Sequence, residues 1–421
     1  MTQSPKGTQD FGPKEAMARG EMIGALRQVF QLYGFEPLET TSLQNFEVLS
    51  SKYTGGAEIL KETYKLEDQG GRKLGLRYDL TVPLVRFMAE NRSLAKPFKR
   101  YEIGKVWRDG PLKAGRYREF MQVDADVIGV TSVAAEAELL AMAQTFFKAL
   151  GIDAVIKYNN RKVLNGLLKK FSIPEREWNG VLQSMDKLEK MGRAYVEKEL
   201  TEKGVDKGVA KDVVEIIAKT KDLELLTGVI DNDVGRKGIE ELLALQEYLV
   251  YLGVDTAEWD LSLSRGLDYY TGTVFEAFFT GGKVTSSIAG GGRYDKMIGA
   301  LIGSKEDVPA VGISFGLDAI LDGFALERER TITRVLVVPI NALDYALTVA
   351  QAIRAWNVNT EVDMMNRNLS KNLDYANKKG IARVIIVGEK EKKEQTVTYK
   401  DMESGKQETD TLEKLKKRIV S

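Results

Sequence analysis

The chain has 421 residues, enough for two or three domains, each with its own core. Its 61 Lys and Arg balance 61 Asp and Glu, so no global charge bias signals a nucleic acid and any basic footprint must be local. Cysteine and histidine are both absent, which excludes disulfides, thiolate or imidazole metal ligands, histidine triads and imidazole general bases.

Any chemistry must run on Arg, Lys, carboxylates, Tyr, Gln, backbone groups and a borrowed metal. The polar N-terminus does not read as a signal peptide, and no apolar run is long enough to span a bilayer. A soluble intracellular protein is expected. After the lead-in Lys6–Phe11 (KGTQDF), Pro13 suits a helix first turn and Glu15 its positive end. Ile23, Leu26, Val29, Phe30 and Tyr33 recur at helical spacing, so Ala16–Leu32 reads as an amphipathic helix closed by Gly34. Phe35–Leu43 reads as a strand leading into a turn. Leu74–Arg86 (LGLRYDLTVPLVR) reads as a strand passing into a Pro-marked helix start. It carries Asp79 and Thr81, two small polar groups able to receive an ammonium.

Tyr101–Gly129 is richer. Ile103 and Val106–Trp107 belong to one strand, Asp109–Gly115 to a loop, and Glu119–Val127 alternate as a second strand. Phe120, Gln122, Asp124 and Asp126 then share one face, a poor core and a good binding floor. Arg108 ends the first strand, and Arg116 and Arg118 open the next. The alternative is a charged, solvated hairpin. Ser132–Leu150 reads as a helix ended by Gly151, and Asp153–Tyr158 as a strand. From Asn160 to about Gly253 the text is helical, charged and nearly proline-free, as in a helical insertion.

The stretch Asp260–Ala277 (DLSLSRGLDYYTGTVFEA) follows. Leu261 and Leu263 alternate with Ser262 and Ser264, and Val274 and Phe275 resume a strand-like run. Gly266 and Gly272 bracket Asp268, Tyr269 and Tyr270. A strand is expected to enter, a tight excursion to display Arg265 and Tyr270, and a strand to leave. An ordinary hairpin with aromatic packing is the alternative. In Ile288–Asp295 (IAGGGRYD) and Val308–Leu321 (VPAVGISFGLDAIL), glycines let a backbone lie flat against a ligand or let two backbones pack closely. Without a P-loop lysine they are a weak phosphate signal.

Glu327–Arg334 is a charged linker. Beyond it, strands at Val335–Ile340, Thr360–Asp363, Val384–Val387 and Thr396–Lys400 alternate with helices at Leu343–Ile353, Leu369–Lys379 and Leu412–Ile419. That order predicts a small α/β domain with a mostly parallel sheet. Lys371, Lys378, Lys379, Lys390, Lys392 and Lys393 fit either a solvated face or a local nucleic-acid footprint.

Together these stretches resemble the histidyl-tRNA synthetase family of class II aminoacyl-tRNA synthetases, from end to end. KGTQDF looks like its N-terminal motif, RYDLTVPLVR its amino-acid-binding strand and turn, and VWRDGPLKAGRYREFMQVDAD class II motif 2. LSRGLDYYTGTVFE and AGGGRYD resemble the two histidine-specific motifs. The insertion is similar to that of the archaeal and eukaryotic branch, and VGEKEKKEQTVTYKDMESGKQ looks like the end of the anticodon-binding domain.

The resemblance implies an α+β fold. Residues 1–325 would form a catalytic domain, an antiparallel sheet flanked by helices with the insertion at about 160–253. A linker would follow at 326–334 and an anticodon-binding α/β domain at 335–421. It implies a cytoplasmic homodimer away from membranes that uses ATP and Mg²⁺ to activate L-histidine and transfer it to tRNA(His). Arg108 would hold the α-phosphate, Arg116 the terminal phosphates, and Phe120 would stack on adenine, with Gly316 beside the ATP site. Asp79, Thr81 and Gln122 would bind the α-amino group. Asp126 and Tyr270 would each hydrogen-bond one imidazole nitrogen, with Tyr269, Gly292 and Tyr294 lining the pocket. Arg265 would be the cation where charge develops. Because a carboxylate attacks a phosphoryl group, no general base is required.

Three positions depart from the family pattern. Thr41 stands where motif 1 usually has Pro, and Gln44 stands near its usual acid. Motif 3 reads Gly316, Leu317, Asp318, Ala319, with alanine in place of the ATP-binding arginine. Ala319 keeps open a second reading: a catalytically weakened paralogue that regulates by binding histidine or RNA. Such paralogues resemble only the catalytic part, so Val335–Ser421 argues against it.

Overall fold

The computed structural model describes residues 3–51, 60–111, 117–265, 269–281, 284–301, 303–304, 306–324 and 331–420. Two compact units are described separately: residues 1–10 with 19–325, and 11–18 with 326–421.

The first unit is built on strands β1 (Glu36–Pro37), β2 (Leu43–Asn45), β3 (Lys65–Glu67), β4 (Lys73–Leu76), β5 (Phe98–Trp107) and β6 (Glu119–Ile128). They continue as β7 (Ala154–Asn160), β8 (Ala257–Trp259), β9 (Thr273–Phe279), β10 (Ala289–Arg293) and β11 (Ala310–Gly316). An eight-stranded sheet runs in the order β1-β5-β6-β11-β10-β9-β7-β8, and β2-β4-β3 form a small second sheet. The pairs from β5 to β7 are antiparallel, and the two edge pairs, β1 with β5 and β7 with β8, are parallel. This is the expected architecture of an antiparallel sheet flanked by helices.

Period-two alternation along β6 divides the sheet into a core face and a polar face. Val123, Ala125 and Val127 are buried on one side, where Phe30, Phe146 and Phe147 from helices Pro13–Leu32 and Ala134–Leu150 meet Tyr101 and Phe315. Ring centroids there lie 5.0 Å apart for Phe30–Tyr101 and 5.3 Å for Phe146–Phe315. The first helix starts at Pro13, three residues before the expected Ala16, and ends at Gly34, whose φ of 74° takes the left-handed form glycine adopts freely.

Phe35–Leu43 is not one strand. Pro37 lacks an N–H, and Thr40 turns its N–H and hydroxyl to Glu102 Oε1, at 3.0 and 2.8 Å, so the ladder stops at two residues. Asp260–Ser264 is not a strand either. Asp260 Oδ1 accepts both the N–H and the hydroxyl of Ser262, at 2.9 and 2.7 Å, a side-chain turn that competes with sheet pairing. The segment from Arg161 to Tyr251 is helical throughout its regular elements, as the insertion reading requires. Its first and last helices cross at Gly166 and Gly235, where a Cβ on Gly166 would overlap the Gly235 backbone.

The second unit contains β12 (Val335–Ile340), β13 (Thr360–Val362), β14 (Arg383–Gly388), β15 (Val397–Asp401) and β16 (Gln407–Asp410), in the order β13-β12-β14-β15-β16. Only β13, β12 and β14 are parallel; β15 and β16 join antiparallel, so the sheet is mixed and less parallel than expected. Val335 and Val337 face a core with Ala350, Ile353 and Ile419, while Leu336 and Val338 face Ala376 and Ile381. A sheet covered on both faces explains the unbroken apolar run of β12. Of the lysine cluster, Lys379 pairs with Glu361 at 2.5 Å and Lys392 with Asp344 at 2.6 Å, while Lys371, Lys378, Lys390 and Lys393 are exposed.

Candidate active site

The polar face of the sheet carries two charged cross-strand rows. Register places Arg100, Asp126, Gly312 and Gly292 side by side across β5, β6, β11 and β10. The next row is Glu102, Asp124, Ser314, Gly290 and Glu276, reaching β9. A third row sets Gly104 beside Gln122 and Gly316. Charged groups thus stand at the β5–β6 end and at β9, and glycines between them leave the floor hollow. A Cβ at Gly312 would overlap Asp126 Oδ1, and one at Gly290 would overlap the Arg265 guanidinium. The result is a cavity of about 530 Å³.

Asp79, Thr81, Arg108, Phe120, Gln122, Asp126, Arg265, Tyr269, Tyr270, Gly292, Tyr294 and Gly316 all line this one cavity. Arg116 and most of the motif 2 loop, residues 112–116, lie outside the described residues, as do Gly266 and Asp268. Residues that sequence reasoning did not assign also line it: Tyr78, Asp124, Asp186, Glu276, Gly290, Gly312 and Ser314. The small-residue alternation Gly312, Ser314, Gly316 was a usable signal, since it mirrors Gln122, Asp124 and Asp126 on the neighbouring strand. Asp186, inside the helical insertion, left none.

At the deep end Arg100 is fully buried and sets its Nη2 2.8 Å from Asp126 Oδ2. Burial alone would pull its pKa down, but Asp126, Asp124 and Glu102 together hold it above the ordinary arginine value. Tyr294 donates its hydroxyl to Asp126 Oδ1. Burial pushes the Asp126 carboxyl up and the Arg100 charge opposes that rise. Burial also raises Tyr294 well above the usual phenol range, so it stays a donor. Asp124 accepts from Gln122 Nε2 at 3.0 and 2.9 Å, and burial pushes its carboxyl up to about 7 against the pull of Arg100.

Behind this row Arg293 grips Glu136 through two hydrogen bonds, 2.7 and 2.6 Å, tying β10 to helix Ala134–Leu150. Asp79 Oδ1 accepts the Val82 N–H at 2.9 Å and so caps helix Thr81–Glu90 while lining the cavity.

Arg265 follows the side-chain turn at Asp260 and has φ 39°, a left-handed backbone uncommon for arginine. Its Nε lies 3.5 Å from Glu276 Oε1, and its guanidinium lies 5.8 Å from the Tyr270 ring centroid. Burial raises the Glu276 carboxyl and Arg265 counters it. The preceding Ser264 donates to Leu182 O of the insertion at 2.8 Å. Arg108 lies between the rings of Tyr78 and Phe120, 4.3 and 4.9 Å from their centroids. The lead-in KGTQDF reaches the same strand end, where Gly7 O accepts the Arg118 N–H at 2.7 Å. At the end of β11, Asp318 pairs with Arg19, and Ala319 follows in helix Leu317–Gly323.

Among the described residues no group of three or more acidic side chains forms a metal site. No described helix is long and apolar enough to cross a membrane.

Comparison with known proteins agrees with this geometry. Residues 7–320 match the family described as "Histidyl-tRNA synthetase", and residues 334–421 match the "Anticodon binding domain" family. The chain is 43% identical over 418 residues to "Histidine--tRNA ligase 1" of Bacillus cereus, covering 98% of this chain and 95% of that protein. It is 43% identical over 414 residues to "Histidine--tRNA ligase 2" of Shouchella clausii, covering 96% of each. Its fold is similar to the crystal structure of histidyl-tRNA synthetase from Nostoc sp. PCC 7120, with a TM-score of 0.87, 31% identity and 99% of each chain covered. These relatives are bacterial and give no support to the expected archaeal and eukaryotic affinity of the insertion. With both domains matched over nearly the whole chain, the protein belongs to the histidyl-tRNA synthetase family.

Proposed function

We propose the following division of labour for an enzyme that activates L-histidine with ATP and transfers it to tRNA(His). A histidine carboxylate oxygen attacks the α-phosphorus of ATP, the new O–P bond forms, and the bond to pyrophosphate breaks. A ribose hydroxyl of the tRNA then attacks the carbonyl carbon of the adenylate: the new ester C–O bond forms, the bond from that carbon to the phosphate oxygen breaks, AMP departs, and the hydroxyl proton passes to the departing phosphate or to water. Arg108 and Arg265 offset the negative charge that develops on the α-phosphate oxygens. Mg²⁺, when bound with ATP, would neutralise the outer phosphates.

Asp79, Thr81 and Gln122 receive the α-ammonium. Asp126 accepts from one imidazole nitrogen, and the Tyr270 hydroxyl meets the other. Arg100, by its ion pair, and Tyr294, by its hydrogen bond, keep the Asp126 carboxylate oriented. A pocket built this way rejects side chains that would leave those groups unpaired. Phe120 stacks on adenine and Gly316 lets the nucleotide lie close. Residues 1–325 carry the chemistry, 326–334 link, and 335–421 read the anticodon, in a cytoplasmic homodimer.

The observation that carries this reading is the convergence of every described candidate residue on one cavity. The test is charging of tRNA(His) transcripts with labelled histidine. Charging of tRNA(His) and not of other tRNAs supports it; binding of histidine with no charging would favour the regulatory alternative. The match of residues 334–421 to an anticodon binding domain weighs against that alternative.

A further inference from the structure

Arg108 directly follows β5 and lines the cavity, and its surroundings hold it before any substrate arrives. Its N–H donates to Arg118 O at 2.9 Å, and its Nε to Tyr78 O at 3.3 Å. The guanidinium lies 4.3 Å from the Tyr78 ring centroid, closer than the 4.9 Å to Phe120. Tyr78 in turn is tied down. Its hydroxyl donates to Glu62 Oε2 at 3.2 Å, and the Glu62 carbonyl accepts the Asp109 N–H at 2.6 Å, next to Arg108 itself. One residue earlier, Arg77 O accepts the Trp107 N–H at 3.1 Å. Segment 77–78 and the end of β5 are therefore laced together by backbone and side chain alike.

We propose that Tyr78 is a positioning residue for Arg108, a ring platform that holds the guanidinium flat and aimed at the α-phosphate. This rests on reading the cavity as the histidine-activating site. Phe120 has two claims on its ring, adenine and Arg108. When adenine takes a Phe120 face, the Tyr78 ring still holds the cation. Stacking a planar cation in advance spares the ordering of a long side chain during reaction. Ala319 sharpens the need. With no arginine at that point of motif 3, placing Arg108 matters more to the phosphate.

The experiment is histidine-dependent ATP–pyrophosphate exchange with the full-length wild type, Tyr78→Phe and Tyr78→Leu, with histidine affinity and melting temperature read on the same preparations. Tyr78→Phe keeps the ring and should stay within about twofold of wild type. Tyr78→Leu should lower kcat about tenfold, about 1.4 kcal/mol, with histidine affinity unchanged. In an Arg108→Lys background, where the cation is no longer planar, the Tyr78→Leu loss should shrink to under twofold; a purely structural role would keep it. Wild-type rates in Tyr78→Leu, an equal fall in Tyr78→Phe, or an undiminished loss beside Arg108→Lys would each overturn the proposal. An inactive wild type would instead overturn the reading of the site, and this inference with it.

Discussion

Asp124→Asn should stabilise the protein, and increasingly so as pH rises. Asp124 is 3% exposed on β6, opposite Glu102 and Ser314. Its carboxyl stands at about 7 against an ordinary 3.8, chiefly because burial penalises the ionised form, with Asp126 adding to the rise and Arg100 opposing it. Between those two values the native state holds a proton that the unfolded chain has released. Raising pH therefore favours unfolding: the stability is whole below the unfolded value and lost as pH climbs to the folded one. At about 1.4 kcal/mol per unit, the roughly three-unit gap amounts to on the order of 4 kcal/mol. Asparagine cannot ionise and still accepts a hydrogen bond from the Gln122 amide. Urea unfolding of wild type and variant should show a stability gap that widens by about 2–3 kcal/mol between pH 5 and pH 8 and is flat above that. A gap independent of pH, or one that narrows, would refute the buried-proton argument.

Arg265→Ala should lower the exchange kcat by about a hundredfold or more while histidine affinity changes little, because its charge acts mainly in the transition state; equal losses in both would sink that role. Asp126→Asn should weaken histidine binding by about tenfold or more, removing one of the three carboxylates around Arg100 and the charged acceptor of the imidazole. Calorimetry with unchanged histidine binding, or with ATP binding equally weakened, would contradict it. Ala319→Arg tests the missing motif 3 cation: a charge-assisted hydrogen bond of about 1.5–3 kcal/mol should lower the KM for ATP by roughly ten- to a hundredfold. A flat or reduced exchange rate would mean that the nucleotide site is completed by other residues.

The chemistry-bearing strands were legible because their alternation is strict. Phe120, Gln122, Asp124 and Asp126 had to share a face once Val123, Ala125 and Val127 claimed the other. Deeper partners were not, since Arg100 reaches Asp126 only through β5–β6 register, and a single sequence carries no register. Leu261 and Leu263 imitated a strand. They are buried, but the Asp260 side chain takes the Ser262 N–H and holds a turn that leads into the left-handed Arg265. Strand β16, QETD, has no apolar alternation at all and is held to β15 by backbone pairing, so nothing in its composition announced it. Tyr78 passed unnoticed beside Asp79 because its role depends on where the next strand ends.

Amino-acid-dependent ATP–pyrophosphate exchange, run across the common amino acids with the unmodified chain, tests the central claim most directly. The paired acceptor and donors around Asp126 predict exchange with L-histidine alone, and loss of that exchange in Asp126→Asn while ATP still binds. Exchange supported equally by a second amino acid, or none with histidine under conditions where both substrates bind, would contradict the assignment of this cavity as a histidine-activating site.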